Sequence, residues 1–152
     1  MSTERVQEFL DVHAPGVRVV HADADTSTVP AAAAALGVEP GQIAKTLALR
    51  AGERTLLVVA SGDARLDNAK FKARFGSKPR MLPAAETEAL TGQPVGGVSP
   101  FGHPSPLDVF CDESLRGFDV VYPAAGSPAS AVRLTPAHLL ELAGATWVDV
   151  TR

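Results

Sequence analysis

The residue whose type and position most suggest chemistry is Lys45. It stands in Gln42–Arg50, where period-two alternation puts Ile43, Lys45, Leu47 and Leu49 on one face of a strand. An ammonium among branched aliphatics is costly to bury without a negative partner. Two placements answer that cost. Either the side chain lies near the strand end and snorkels to water, or it faces a concave site and meets a phosphate, a carboxylate or a developing oxyanion.

Two small-residue segments could supply the rest of such a site. In Gly96-Gly97-Val98-Ser99-Pro100-Phe101-Gly102 the glycines allow close approach of main-chain N–H groups to a ligand. Such amides can act as oxyanion donors without any acidic side chain. Ser99 adds a hydroxyl and Pro100 stiffens the turn, although an ordinary tight loop has the same composition. The segment is not a nucleotide phosphate loop, because no Gly-Lys-Ser/Thr follows. Gly126-Ser127-Pro128-Ala129-Ser130 lacks the Gly-x-Ser-x-Gly pattern of a nucleophile elbow. Ser127 is therefore read as a hydrogen-bonding group, toward a ligand or within the turn.

The segment from Arg65 to Arg80 carries six of the chain's 14 Lys and Arg residues, opposed by Asp67. Lys70 and Arg74 share a helix face at i, i+4. A solvated face is the default explanation; a local phosphate contact, suited to a short single strand or an acceptor stem, is the alternative. The four histidines, His13, His21, His103 and His138, lack metal-ligand spacing, and no metal or other cofactor is expected. Cys111 shares a strand face with Leu107 and Val109, as a small core residue would.

The elements that must position these residues can be read from periodicity and turn chemistry. Val6, Phe9 and Leu10 set a helix from about Thr3 to His13, followed by a short strand at Val17–His21. Thr28 caps a second helix through Ala31–Leu36. Gln42–Arg50 and Arg54–Ala60 form a hairpin, and the run Leu56–Val59 predicts a central strand covered on both faces. Asp67 caps a basic helix ending at Gly76, and Pro83–Leu90 is a further helix. Gln93–Pro106 holds four prolines and three glycines. Such a long structured loop inside a compact domain is more often functional than not. Strands are expected at Leu107–Cys111, Phe118–Tyr122, Ala131–Leu134 and Trp147–Val150, with a helix from Thr135-Pro136 to Leu142. This pattern is neither regular βαβ nor all-β, and predicts an α+β mixed sheet in a single domain over residues 1–152.

Composition narrows the function classes. Hydrophobic residues are 45% and charged residues 20% of the chain, as in ordinary globular domains. The net charge of −3 gives no global basic field for duplex DNA. One cysteine precludes an internal disulfide and suits a reducing cytoplasm. No apolar run approaches the roughly 20 residues of a membrane span, and the N-terminus does not read as a secretory signal.

The segments Leu36-Gly37-Val38…Gln42-Ile43-Ala44-Lys45-Thr46-Leu47, Pro94–Gly102 and Ala125-Gly126-Ser127, with the strand into Leu134-Thr135-Pro136, stand in this order in the chain. Together they resemble the YbaK/prolyl-tRNA-synthetase editing-domain family, from about Thr28 to Thr151. The resemblance implies an α+β fold with a barrel-like sheet surrounded by helices. It also implies metal-free deacylation, in trans, of tRNA-Pro or a similar tRNA carrying a small wrong amino acid. By the same resemblance, Lys45 and the amide of Gly97 would carry the catalytic roles. Gly96, Val98, Ser99, Pro100 and Ser127 would bind the substrate; Lys70 and Arg74, from the basic helix face described above, are the candidates for tRNA contact, with a solvated face as the alternative. The implied partners are the tRNA acceptor end and an aminoacyl-tRNA synthetase. A non-catalytic tRNA or aminoacyl-binding module, and a hydrolase of some other small acyl ester, are the competing readings.

Overall fold

The computed structural model describes residues 2–24 and 27–152. Along these run α1 (Ser2–His13), β1 (Val20–His21), α2 (Val29–Leu36), β2 (Ile43–Ala51), β3 (Arg54–Ser61), α3 (Asn68–Phe75) and β4 (Arg80–Met81). There follow α4 (Ala84–Thr91), β5 (Val109–Asp112), β6 (Tyr122–Pro123), β7 (Ser130–Ala131), α5 (Pro136–Ala143) and β8 (Thr146–Val148). The class is α+β, as the sequence pattern predicts.

The larger sheet has the order β4-β2-β3-β5-β8, with β6 also pairing β2. It is mixed. β2 and β3 form an antiparallel hairpin running from Ala44↔Ser61 to Ala51↔Arg54, while β3 pairs β5 and β5 pairs β8 in parallel. β1 and β7 form a separate antiparallel pair.

β3 shows why consecutive apolar residues were needed. Leu57 and Val59 join the core under α1 and α5, with Val6, Leu10 and Leu139. Leu56 and Val58 join the opposite core, with Phe71 of α3, Phe110 and Val150. A strand covered on both faces has no polar side. Phe71 is fully buried, so its truncation to alanine would cost about 3–5 kcal/mol.

The helices begin where side chains can accept the first free amides. Thr28 Oγ1 accepts from Ala31 N–H at 3.2 Å, and Asp67 Oδ1 accepts from Lys70 N–H at 3.0 Å. Thr135 Oγ1 accepts from His138 N–H at 3.2 Å, ahead of Pro136. Each arrangement satisfies an otherwise orphaned donor of the first turn. α2 then lays Ala32 and Ala33 against Ile43 at the start of β2.

Four strand expectations are corrected, the first being Ala131–Leu134, where β7 is Ser130–Ala131 and Leu134 makes only an isolated bridge to Val121. Phe118–Tyr122 is not a strand: a turn of 3-10 helix occupies Glu113–Gly117, and pairing is limited to a bridge at Val121 and to β6. Prolines at 104 and 106 and an exposed Asp108 hold Leu107 outside the sheet, so β5 starts at Val109. Val17–Val19 are not paired, and β1 is confined to Val20–His21. Among the described residues, no helix is long and apolar enough to cross a membrane.

Candidate active site

β2 is covered unevenly along its outer edge. β6 pairs with it at Ile43 and Ala44, and β4 at Leu49 and Arg50. Between these contacts the edge opens on a cavity of about 380 Å³. α2, the loop after Pro94, and β7 close the other sides. The walls are mainly apolar, with Ala32, Ile43, Leu47, Val98, Tyr122 and Ala131 among the lining residues. No carboxylate or imidazole lines it among the described residues.

Lys45 lies in this wall, half-buried. Among the described residues, its ammonium meets no carboxylate directly. It donates to the carbonyl of Gly62 at 3.3 Å and to that of Ala64, both in the loop leaving β3. An ammonium has three donors, and among the described residues two of them are used. Burial pushes its pKa below the ordinary 10.5; the charge of Asp63 partly opposes this and that of Arg65 adds to it.

The loop that receives Lys45 is held by close contacts. Ser61 Oγ lies 2.8 Å from Gly41 O and 2.8 Å from Asp63 Oδ1. A Cβ on Gly62 would fall 2.2 Å from the Pro40 carbonyl oxygen. Only glycine lets the chain pass that turn and leave its own carbonyl facing Lys45.

Gly96 and Val98 line the cavity, and their amides form no hydrogen bond among the described residues. Gly97 is placed differently. Its N–H donates to Pro94 O at 2.9 Å, and its carbonyl accepts from Gly126 N–H at 2.8 Å. A Cβ there would lie 2.5 Å from the carbonyl carbon of Ser127. Gly97 thus joins the two small-residue loops by close packing, and its amide is already engaged.

The remaining sequence-derived candidates lie off the wall. Ser99 is fully buried: its N–H donates to Gln93 Oε1 at 2.7 Å and its hydroxyl to the Phe101 carbonyl. Pro100 faces a second hollow beside Phe9 and His103. Ser127 sits one hydrogen bond behind the cavity, 2.9 Å from the hydroxyl of Ser130, and it is Ser130 that lines the wall. Lys70 bonds Asp149 at 3.1 Å and Thr151 O at 2.8 Å, while Arg74 stacks over Phe75 and Phe110. Neither reaches the cavity. Thr46, Tyr122 and Ser130 line it and were not singled out by sequence. Thr46 follows Lys45 directly, but alternation assigns it to the opposite strand face; a cavity that wraps a strand edge takes both faces.

The aminoacyl-tRNA editing domain model matches residues 23–142, most of the chain and every residue lining this cavity. This chain belongs to that family. It is 42% identical over 136 residues to the uncharacterised protein YwhH of Bacillus subtilis, covering 88% of this chain and 87% of that one. It is 32% identical over 130 residues to EbsC of Enterococcus faecalis, covering 84% and 79%; that protein is provisionally named a Cys-tRNA(Pro)/Cys-tRNA(Cys) deacylase. A crystal structure described as a provisional trans-editing enzyme for prolyl tRNA synthetase superposes with a TM-score of 0.91 at 39% identity, covering 99% of this chain and 97% of that one. The editing-domain fold and the sequence blocks therefore agree.

Proposed function

We propose that residues 1–152 form one trans-acting editing domain that hydrolyses the ester of a mischarged aminoacyl-tRNA, with a small amino acid on tRNA-Pro or a similar tRNA. The observation that carries this reading is that Lys45, Gly96 and Val98 line one small apolar cavity, the last two with amides that are unengaged among the described residues. The family and the provisionally named deacylase relative support the same chemistry.

An aminoacyl ester is already activated, so positioning and oxyanion stabilisation matter more than a strong protein nucleophile. Lys45 anchors the acceptor end through its remaining donor. The Gly96 and Val98 amides receive the carbonyl oxygen as it becomes negative. Water adds to the acyl carbon, assisted by the terminal ribose hydroxyl of the substrate. The bond from that carbon to the esterified ribose oxygen then breaks. The ribose oxygen takes the proton, and the amino acid leaves as its carboxylate. No wall carboxylate or imidazole is required, in keeping with the residues that line the cavity.

That same lack of a side-chain base favours one second reading, a module that binds the aminoacyl end without turning it over. Incubation with tRNAs mischarged with alanine, serine or cysteine separates the two. Deacylation above the spontaneous rate supports the enzyme; saturable binding at the spontaneous rate supports the module. The tRNA acceptor end is the proposed partner in the cytoplasm, with a synthetase as a second.

A further inference from the structure

Asp112 ends β5 with its side chain fully buried, yet it lies outside the cavity wall and has no part in the mechanism above. A buried carboxylate is kept only where donors surround it. Its Oδ1 accepts from Val150 N–H at 2.8 Å. Its Oδ2 accepts from Ser114 N–H at 3.0 Å and from the Thr151 hydroxyl at 2.6 Å. The Ser114 contact caps the 3-10 turn that follows, and a cap needs only that one. The other two reach the segment after β8.

Both arms of this set end at the loop that receives Lys45. On one side, Ser114 Oγ accepts from Ser61 N–H at 3.1 Å. Ser61 O in turn accepts from Ala64 N–H at 3.0 Å, closing the turn that presents Gly62 O and Ala64 O to the ammonium. On the other side, Val150 O accepts from Asp67 N–H at 2.8 Å, Leu66 bridges Thr151, and Arg65 O accepts from Arg152 N–H at 3.0 Å. The stretch from Ser61 to Asp67 is thus held at its start and at its end by partners of one carboxylate. The carbonyls that bond Lys45 lie between those points.

We propose that Asp112 is a positioning residue for Lys45: it clamps both ends of this loop and so fixes the two carbonyls that hold the ammonium in the cavity wall. All three of its partners are donors, and only a carboxylate accepts at both oxygens; an asparagine would turn a donor toward one arm. The effect on turnover rests on the deacylase reading, whereas the clamp itself does not.

The test uses the full chain with 13C-labelled lysine and reads the Lys45 Cε signal, assigned by its loss in Lys45→Ala. Ser114→Ala cuts one arm and Thr151→Val loosens the other. Each should shift that signal, and Ser114→Thr should return it to the wild-type position. The kcat/KM for mischarged tRNA should fall about tenfold in each arm variant and recover in Ser114→Thr. Leu139→Val, in the core with α5, should lower Tm without moving the Lys45 signal. Arm variants with a lowered Tm and an unmoved Lys45 signal would make Asp112 structural and overturn the proposal. So would a signal that Leu139→Val moves equally. A wild type without turnover whose arm variants still shift Lys45 would sink the deacylase reading alone. Turnover by wild type with an unmoved signal in the arm variants would sink the clamp alone.

Discussion

The Lys45 ammonium donates to the Gly62 carbonyl at 3.3 Å, linking the middle of the β2 edge to the loop that leaves β3. Together with the Ala64 carbonyl this contact gives the ammonium a fixed direction. The position of Lys45 in the cavity thus depends on a residue that carries no side chain.

Gly62→Ala should therefore damage the site without touching Lys45. The added Cβ would lie 2.2 Å from Pro40 O and 2.7 Å from Val29 Cγ1. Relieving that overlap should cost about 1–3 kcal/mol of stability and displace the Gly62 carbonyl. Thermal unfolding and deacylation should both decline. A variant with wild-type rate would show that the tether does not matter.

In the proposed mechanism the charged form of Lys45 anchors an anion, so the pH dependence has a definite sign. Burial holds its pKa below 10.5. After subtraction of spontaneous ester hydrolysis, kcat/KM should fall on the alkaline side at lower pH than an ordinary lysine would give. Asp63 raises this pKa, so Asp63→Asn should move the alkaline limb to still lower pH. An unmoved limb would place the titration elsewhere.

Ser99 distinguishes scaffold from ligand contact. Its amide and hydroxyl are both spent inside the buried knot with Gln93 and Phe101. Ser99→Ala leaves the Phe101 carbonyl without that donor, at a cost of about 1–3 kcal/mol. The expected result is a lowered denaturation midpoint, with substrate KM changed far less. A raised KM at unchanged stability would instead return Ser99 to the binding surface.

Cys111 should be inert. It is fully buried, and burial together with the neighbouring Asp112 charge pushes its thiol up to about 12. The thiolate is the reactive form. A thiol reagent should label the native protein negligibly at neutral pH and label it stoichiometrically in denaturant. Rapid native labelling would contradict this packing.

Much of the framework was legible because local chemistry decides it. Thr28, Asp67 and Thr135 each cap the helix expected of them, and the apolar run Leu56–Val59 is the two-sided central strand. The alternation that singled out Lys45 also found the correct strand. The wall itself was less legible. Period two places Thr46 away from Lys45, yet the gap between β4 and β6 brings both to one cavity, and that gap depends on long-range pairing. Composition could not separate Gly96 and Val98, which line the cavity, from Gly97 and Ser99, whose amides are spent within the fold. Ser127 and Ser130 are equivalent as residue types; the turn decides which one lines the wall.

The central claim is that this cavity deacylates aminoacyl-tRNA through Lys45. The direct measurement is the rate of label loss from a panel of tRNAs mischarged with small amino acids, using wild type and Lys45→Ala at matched folded concentration. The account predicts a rate well above spontaneous hydrolysis for at least one mischarged tRNA. It further predicts that Lys45→Ala, with its fold intact by circular dichroism, falls to the spontaneous rate. Equal rates for wild type and Lys45→Ala would contradict it.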